Sequence, residues 1–257
     1  MIQIERTPKP LKLTDAVQQE LTSEFKKDNS KAVWGKTYIR KALLDMSNSK
    51  CCYCECLVGK GTKEMHVDHF QPKSIYPDLV VQWENLLPSC SQCNKSKSDH
   101  DTVQEPIINP TKDNPKEYFY LKNYRYVCKD NAPESIARRT LGVLSLNDTT
   151  EKVQERFLIG EKLQEKLYEI LCLAESNLKT LSTNTVIKNR VRRGCRDILR
   201  FGIKTSEFAA FMSTLIHNDE NYSALKKILV DHEIWDAELM QLEEDSLKNM
   251  FPTSKDA

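Results

Sequence analysis

Two C-x-x-C pairs, Cys51/Cys54 and Cys90/Cys93, constrain this 257-residue chain more than any other feature. Four thiolates at about 2.3 Å close a tetrahedral shell around Zn²⁺, and each C-x-x-C turn brings two sulfurs onto one ion. Cys52 and Cys56 crowd the first pair with C-x-x-x-C spacing of their own. Cys52 falls between the ligand positions, where a tight turn points its side chain away. A disulfide cluster or a set of buried thiols competes with zinc for the same spacing. Clustered pairs in a chain of intracellular character favour the metal.

Between the pairs lies the candidate chemistry. Met65 to Phe70 reads as a strand, with His66, Asp68 and Phe70 on one face and Val67 and His69 on the other. Pro72 bends or ends it, which leaves Asp68 and His69 near its exit. A twisted or bulged strand lets both serve one site. The carboxylate suits a hard divalent cation, and the imidazole can take a proton from water. Asn85 and Asn94 are neutral amides that can orient the imidazole or offer a carbonyl oxygen to the cation. Asn94 falls near the start of a short helix that Cys90 and Cys93 fix in place.

The run VDHFQPK, then WENLLPSC, then CNKSKSD resembles the HNH endonuclease family, whose active site is a ββα-metal finger. The resemblance implies that His69 is the general base and that Asn85 holds it in orientation. It also implies that Asp68 and Asn94 bind a catalytic Mg²⁺ or Mn²⁺ beside the scissile phosphate, with 5′-phosphate and 3′-hydroxyl ends as products. Without the chemistry, Asp68 and His69 are strand-end polar residues of a zinc-stapled binding module. Lys73, Lys95 and Lys97 flank the motif as phosphate contacts or as ordinary surface lysines. His66 is an extra ligand, a phosphate contact or a solvent-facing residue. Asp99 caps or tethers the helix of Asn94 and is assigned no chemistry.

The rest of the chain sets the context. Charged residues make up 29% and hydrophobic ones 39%, the balance of a soluble, helix-rich protein of one or two domains. No apolar run approaches the ~20 residues of a membrane span, and the N-terminal stretch lacks a signal peptide's apolar core. A cytoplasmic location without membrane attachment is expected. A net charge of +1 gives no global attraction to nucleic acid, so local patches or a partner must hold the substrate.

The expected fold is α+β and mostly helical: N-terminal helices and the zinc-stapled finger (core 51–99) over 1–130, then a helical region over 131–257. Helices are expected at 14–27, 36–46, 134–144, 150–181, 185–201, 206–217, 221–231 and 234–247. Tyr118, Phe119, Tyr120, Tyr124 and Tyr126 stack on unpaired bases or belong to two short strands packed on the finger. Lys188, Arg192, Arg193 and Arg196 line a helix as candidate backbone-phosphate contacts, or form a solvated face paired with acids. The acidic stretch 231–245 suits docking on a basic partner or plain amphipathic packing.

An I-x-I-E-R-x-P start, a K-C-x-Y-C-E knuckle, the HNH core and a helical second half together resemble the PtuB-type HNH nucleases, bacterial anti-phage effectors of Septu and some retron systems. That resemblance implies an ABC/SMC-like ATPase partner of PtuA type. The chain itself has no G-x-x-x-x-G-K-[ST] motif to bind ATP. Three readings stand: a defence nuclease within a complex, a free-standing restriction or mobile-element HNH nuclease, and a non-catalytic zinc-stapled scaffold.

Overall fold

A computed structural model describes residues 1–59, 63–130, 132 and 134–255. The chain forms two compact units, one of residues 1–119 and 128–147, the other of residues 120–127 and 148–257. The boundary expected at 130/131 falls beside Asn131, which with Pro133 lies outside the described residues.

The first unit is built on the finger. Helix α1 (Asp15–Lys27) starts where the Thr14 hydroxyl accepts from the Val17 amide, and it buries Gln18, Leu21 and Phe25. Gln18 turns inward because its amide donates to the Val81 carbonyl at 3.0 Å. Helix α2 (Thr37–Ser47) buries Ile39, Leu43 and Met46 and ends on Asn48 in the left-handed region. The finger follows as β1 (Met65–His69), β2 (Leu86–Cys90) and α3 (Ser91–Lys97). Strands β1 and β2 are antiparallel, pairing Asp68 with Leu87 and His69 with Leu86.

Arg6, from the N-terminal I-x-I-E-R-x-P stretch, fixes the turn before β2. Its guanidinium donates to the carbonyls of Trp83 (2.9 Å), Leu86 (2.8 Å) and Glu84 (3.2 Å). The Trp83 indole returns a bond to the Thr7 carbonyl at 2.7 Å. Helix α4 (Ile136–Val143) joins this unit, where the Thr140 hydroxyl accepts from the Ile108 amide.

Strands β3 (Phe119–Lys122) and β4 (Arg125–Cys128) form a hairpin whose outer residues, Phe119 and Cys128, are grouped with the first unit. Residues 120–127 belong to the second unit because their aromatics find helix partners there. Tyr124 meets Phe157 edge-on at 5.6 Å, and Tyr126 meets Phe211 at 4.8 Å. The helices are α5 (Lys152–Glu175), α6 (Thr185–Phe201), α7 (Ala209–His217), α8 (Glu220–Asp231) and α9 (Ala237–Leu247).

Helix α5 stops six residues short of the expected end at 181. Leu163, Leu167 and Leu171 are buried, whereas Leu158 and Leu178 are about half exposed. The fully buried Arg156 takes part of that face, lying 4.4 Å from the Phe211 ring centre and 5.0 Å from that of Tyr126. Gly160 is required on α5, since a Cβ there would stand 2.5 Å from the Tyr124 ring. Among the described residues, no helix is long and apolar enough to cross a membrane.

Candidate active site and metal centre

The four expected sulfurs converge. The Sγ atoms of Cys51, Cys54, Cys90 and Cys93 all lie within 4.8 Å of one another. None of the nine cysteines is in a disulfide. The knuckle turn closes through Cys51 N–H to the Cys56 carbonyl (2.9 Å) and Glu55 N–H to the Cys51 carbonyl (3.0 Å). Glu55 sits at φ 69° there, and Lys50 reaches its carboxylate at 3.4 Å, which accounts for the K-C-x-Y-C-E pattern. Cys90 ends β2 and its sulfur also accepts from the Cys93 amide at 3.4 Å, so one residue caps α3 and turns toward the cluster.

Cys52 lies apart from the four, its amide donating to the Pro88 carbonyl at 2.9 Å. Burial, followed by the charge of Cys51 and Asp68, pushes the Cys52 thiol well up, so it stays protonated. Cys56 is the near neighbour, its sulfur 3.4 Å from that of Cys54. Four sulfurs this close, with no bond between them, fit a tetrahedral thiophilic ion such as Zn²⁺.

Asn94, the residue after Cys93, lines a cleft of about 270 Å³ together with Asp68, His69, Trp34, Arg40, His66, Lys73 and Asp99. Three of the four expected catalytic residues therefore share one cavity. His69 is 7% exposed, and its Nε2 lies 2.9 Å from the Val80 carbonyl. A carbonyl only accepts, so Nε2 carries the proton and Nδ1 keeps the lone pair that a base needs. Burial outweighs the Val80 carbonyl and Asp68, with Lys73 and Lys97 adding to it, and the imidazolium is held down to about 4. His69 is neutral at physiological pH. Trp34 packs edge-on against its ring at 4.8 Å.

The Asn85 side chain sends its hydrogen bonds to the loop backbone rather than to the His69 ring. Its carbonyl oxygen accepts from the Gln71 amide (2.7 Å), and its NH₂ donates to the carbonyls of Gln71 (3.0 Å) and Leu79 (3.2 Å). The side chain staples both ends of the loop that presents Val80, so its hold on His69 is indirect. Asn85→Ala is expected to cost roughly 1–3 kcal/mol, because it leaves three part-buried backbone groups without their partner. Urea unfolding measures that loss. A stability within about 0.5 kcal/mol of the parent would contradict the staple.

Asp68 is 3% exposed and held on both oxygens. The Tyr53 hydroxyl donates to Oδ2 at 2.6 Å, and Lys97 Nζ lies 3.2 Å from Oδ1. Burial, then the Asp68 charge, pushes the Tyr53 hydroxyl well up, so Tyr53 remains the donor. The Asp68 carboxylate and the half-buried Asn94 amide are oxygen donors in one cavity, a set that fits Mg²⁺ or Mn²⁺ rather than a thiophilic ion.

The basic residues divide. Lys73 lines the cleft with Nζ 5.2 Å from the Trp34 ring centre, and Lys95 is exposed on α3. Lys97 is 2% exposed and donates to the His69 carbonyl at 2.7 Å, so it is no surface phosphate contact. In the second unit, Arg192 pairs with Asp236 (2.5 Å) and Glu238 (2.7 Å) and Arg196 with Asp197 (3.2 Å), on the face expected to meet phosphates. Lys188 is half-buried and Arg193 exposed on the same helix. Two acids of the stretch 231–245, Asp236 and Glu238, therefore have partners within the unit, and Asp236 also caps α9.

Sequence reasoning missed Tyr53, Val80, Trp34 and Arg40. Tyr53 alone had a local signal, its place between two metal-spaced cysteines.

The HNH endonuclease family profile matches residues 51–100. A Septu protein PtuB of Bacillus thuringiensis is 40% identical over 251 residues, covering 98% of this chain and 95% of that protein. A Septu protein PtuB of Bacillus mycoides (strain KBAB4) is 24% identical over 213 residues, covering 66% and 71%. Protein ea31 of Escherichia phage lambda is 28% identical over 117 residues, 44% of this chain and 36% of that one.

Proposed function

The chain belongs to the PtuB family of Septu proteins, and from that premise we propose that it is the HNH endonuclease of a bacterial anti-phage complex, hydrolysing phosphodiester bonds of DNA or RNA. The observation that carries the reading is the meeting of Asp68, neutral His69 and Asn94 in one cleft beside four metal-spaced sulfurs.

His69 Nδ1 takes the proton of an attacking water, while the Val80 carbonyl holds Nε2–H and fixes the ring's direction. Trp34 walls the base from bulk solvent. A cation held by Asp68 and Asn94 supplies charge stabilisation for the phosphate and the leaving oxygen when bound. The four cysteines are the Zn²⁺ site that fixes α3, and so Asn94, against β1. Lys73, Lys95 and Arg40 contact flanking phosphates, and Lys188 and Arg193 offer a second patch. The partner is an ABC/SMC-like ATPase of PtuA type, which brings or senses the nucleic acid that a chain of net charge +1 attracts weakly.

The test is cutting of labelled single-stranded DNA, duplex DNA and transfer RNA by the protein, alone and with the ATPase, in Mg²⁺, Mn²⁺ or EDTA. Metal-dependent cutting of at least one substrate is expected. A folded, zinc-loaded protein that cuts none of them in any combination would sink the nuclease reading. Lys73→Ala is expected to reduce the salt dependence of oligonucleotide binding by about 0.7–0.9 in slope, one phosphate contact. Arg192→Ala, whose guanidinium is spent on two carboxylates, is expected to leave that slope unchanged.

A further inference from the structure

Lys97 is a buried cation at a place where the nuclease must also bind one. It stands one turn after Asn94 on α3, its side chain 1% exposed, with Nζ 3.2 Å from Asp68 Oδ1 and 2.7 Å from the His69 carbonyl. Tyr53 occupies one lone pair of the other Asp68 oxygen at 2.6 Å. Each carboxylate oxygen has two lone pairs, so Asp68 retains donors for a cation. Its negative charge, however, is already balanced.

Nothing else in the cleft supplies a surplus. Among the described residues, the four cysteines are the one cluster of three or more Cys, His, Asp or Glu ligands, so Asp68 has no second carboxylate or imidazole completing such a set. Asn94 is neutral, and the cavity's other polar lining is the exposed Asp99, the half-buried His66, Lys73 and Arg40, Arg40 reaching Glu64 at 3.5 Å. A divalent ion entering from solution gives up hydration and meets a site whose charges cancel. A bound phosphodiester adds one negative charge and further oxygen donors at that spot.

We propose that Lys97 is a positioning residue that keeps the resting site at low affinity for its divalent cation, so that cation and nucleic acid are taken up together. Lys97 and Tyr53 fix the Asp68 carboxylate, and the substrate phosphate supplies the charge that Lys97 has cancelled. This rests on the nuclease reading, and it gives the unliganded enzyme a built-in restraint: without nucleic acid, little cation is held at the hydrolytic centre.

The experiment titrates Mn²⁺ into zinc-loaded protein carrying His69→Ala, which prevents turnover, and follows free Mn²⁺ by electron paramagnetic resonance. It is run with and without an oligonucleotide that the His69-intact protein cuts. Binding at least tenfold tighter with the oligonucleotide is expected. Adding Lys97→Met is expected to tighten Mn²⁺ binding at least tenfold without oligonucleotide and to shrink the oligonucleotide's effect below threefold. Lys97→Arg keeps the charge and is expected to keep the parent's pattern.

Equal Mn²⁺ affinity with and without oligonucleotide overturns the inference while cutting by the His69-intact protein still stands. Lys97→Met that binds Mn²⁺ no tighter than its parent overturns it as well. Should Lys97→Met lose its zinc or fail to fold, the parent's paired titration and Lys97→Arg decide. A His69-intact protein that cuts no nucleic acid sinks the nuclease reading, and the inference with it.

Discussion

Replacing His69 with alanine is expected to lower the rate of phosphodiester cleavage by about 10²–10⁴-fold, the range for loss of a positioned general base. The ring lies under the cleft with Nε2–H spent on the Val80 carbonyl, so Nδ1 is the atom that acts, and alanine replaces neither nitrogen. The loss should fall on kcat, with KM close to the parent value, because a buried neutral ring holds the proton rather than the phosphate. His69→Gln tests the geometry, since it restores some bulk against Trp34 without a base of suitable strength. Single-turnover cleavage with bound zinc as a folding control measures all three proteins. A His69→Ala rate within about threefold of the parent would remove His69 from the chemistry.

What the sequence conveyed about this site follows how local each relation is. The sulfur pairs were legible because C-x-x-C geometry is set within one turn. Asp68, His69 and Asn94 were legible because a strand and the start of a short helix hold them next to ligands. Val80 was not, since its part in the site is a backbone carbonyl, and any residue carries one. Asn85 was legible as a residue of the site, but its three bonds were not, because they go to the backbone of a loop whose path no periodicity describes.

Lys97 had a signal that went unread. It is i+4 from Cys93 on α3, so a helix that buries Cys93 buries Lys97 on the same face. In the helical unit α6 was legible at both ends, residues 185–201, whereas α5, α7 and α9 are shorter than expected. The fate of the basic face was not legible. Arg192 meets Asp236 and Glu238 from a helix more than forty residues further on, a pairing that depends on how helices pack. Near-neutral net charge is consistent with that cancellation, yet it names no partners.

Removing the metal is expected to have the largest effect on the fold. One zinc per chain should be found in the purified protein, and stripping it with a strong chelator should unfold the finger. Structural zinc sites contribute about 10–16 kcal/mol of apparent binding energy at neutral pH, more than most whole domains have in reserve. Without the ion, Cys51, Cys54, Cys90 and Cys93 are four closely packed thiols, and Cys90 loses its reason to turn toward Cys93. The effect should be confined. The unit of residues 120–127 and 148–257 has its own core in Leu163, Leu167, Val191, Ile198, Phe211 and Leu225, and it supplies no ligand to the cluster. Circular dichroism should therefore keep much of its helical signal, while limited proteolysis opens the first unit between β1 and α3. Cys93→Ser should reproduce this without a chelator, because it removes one of four ligands from a fully buried position. Cys52→Ser should retain zinc, since that thiol lies outside the cluster. A chain that is purified without zinc, with these cysteines in disulfides and its melting unaffected by chelator, would replace the metal staple with a covalent one.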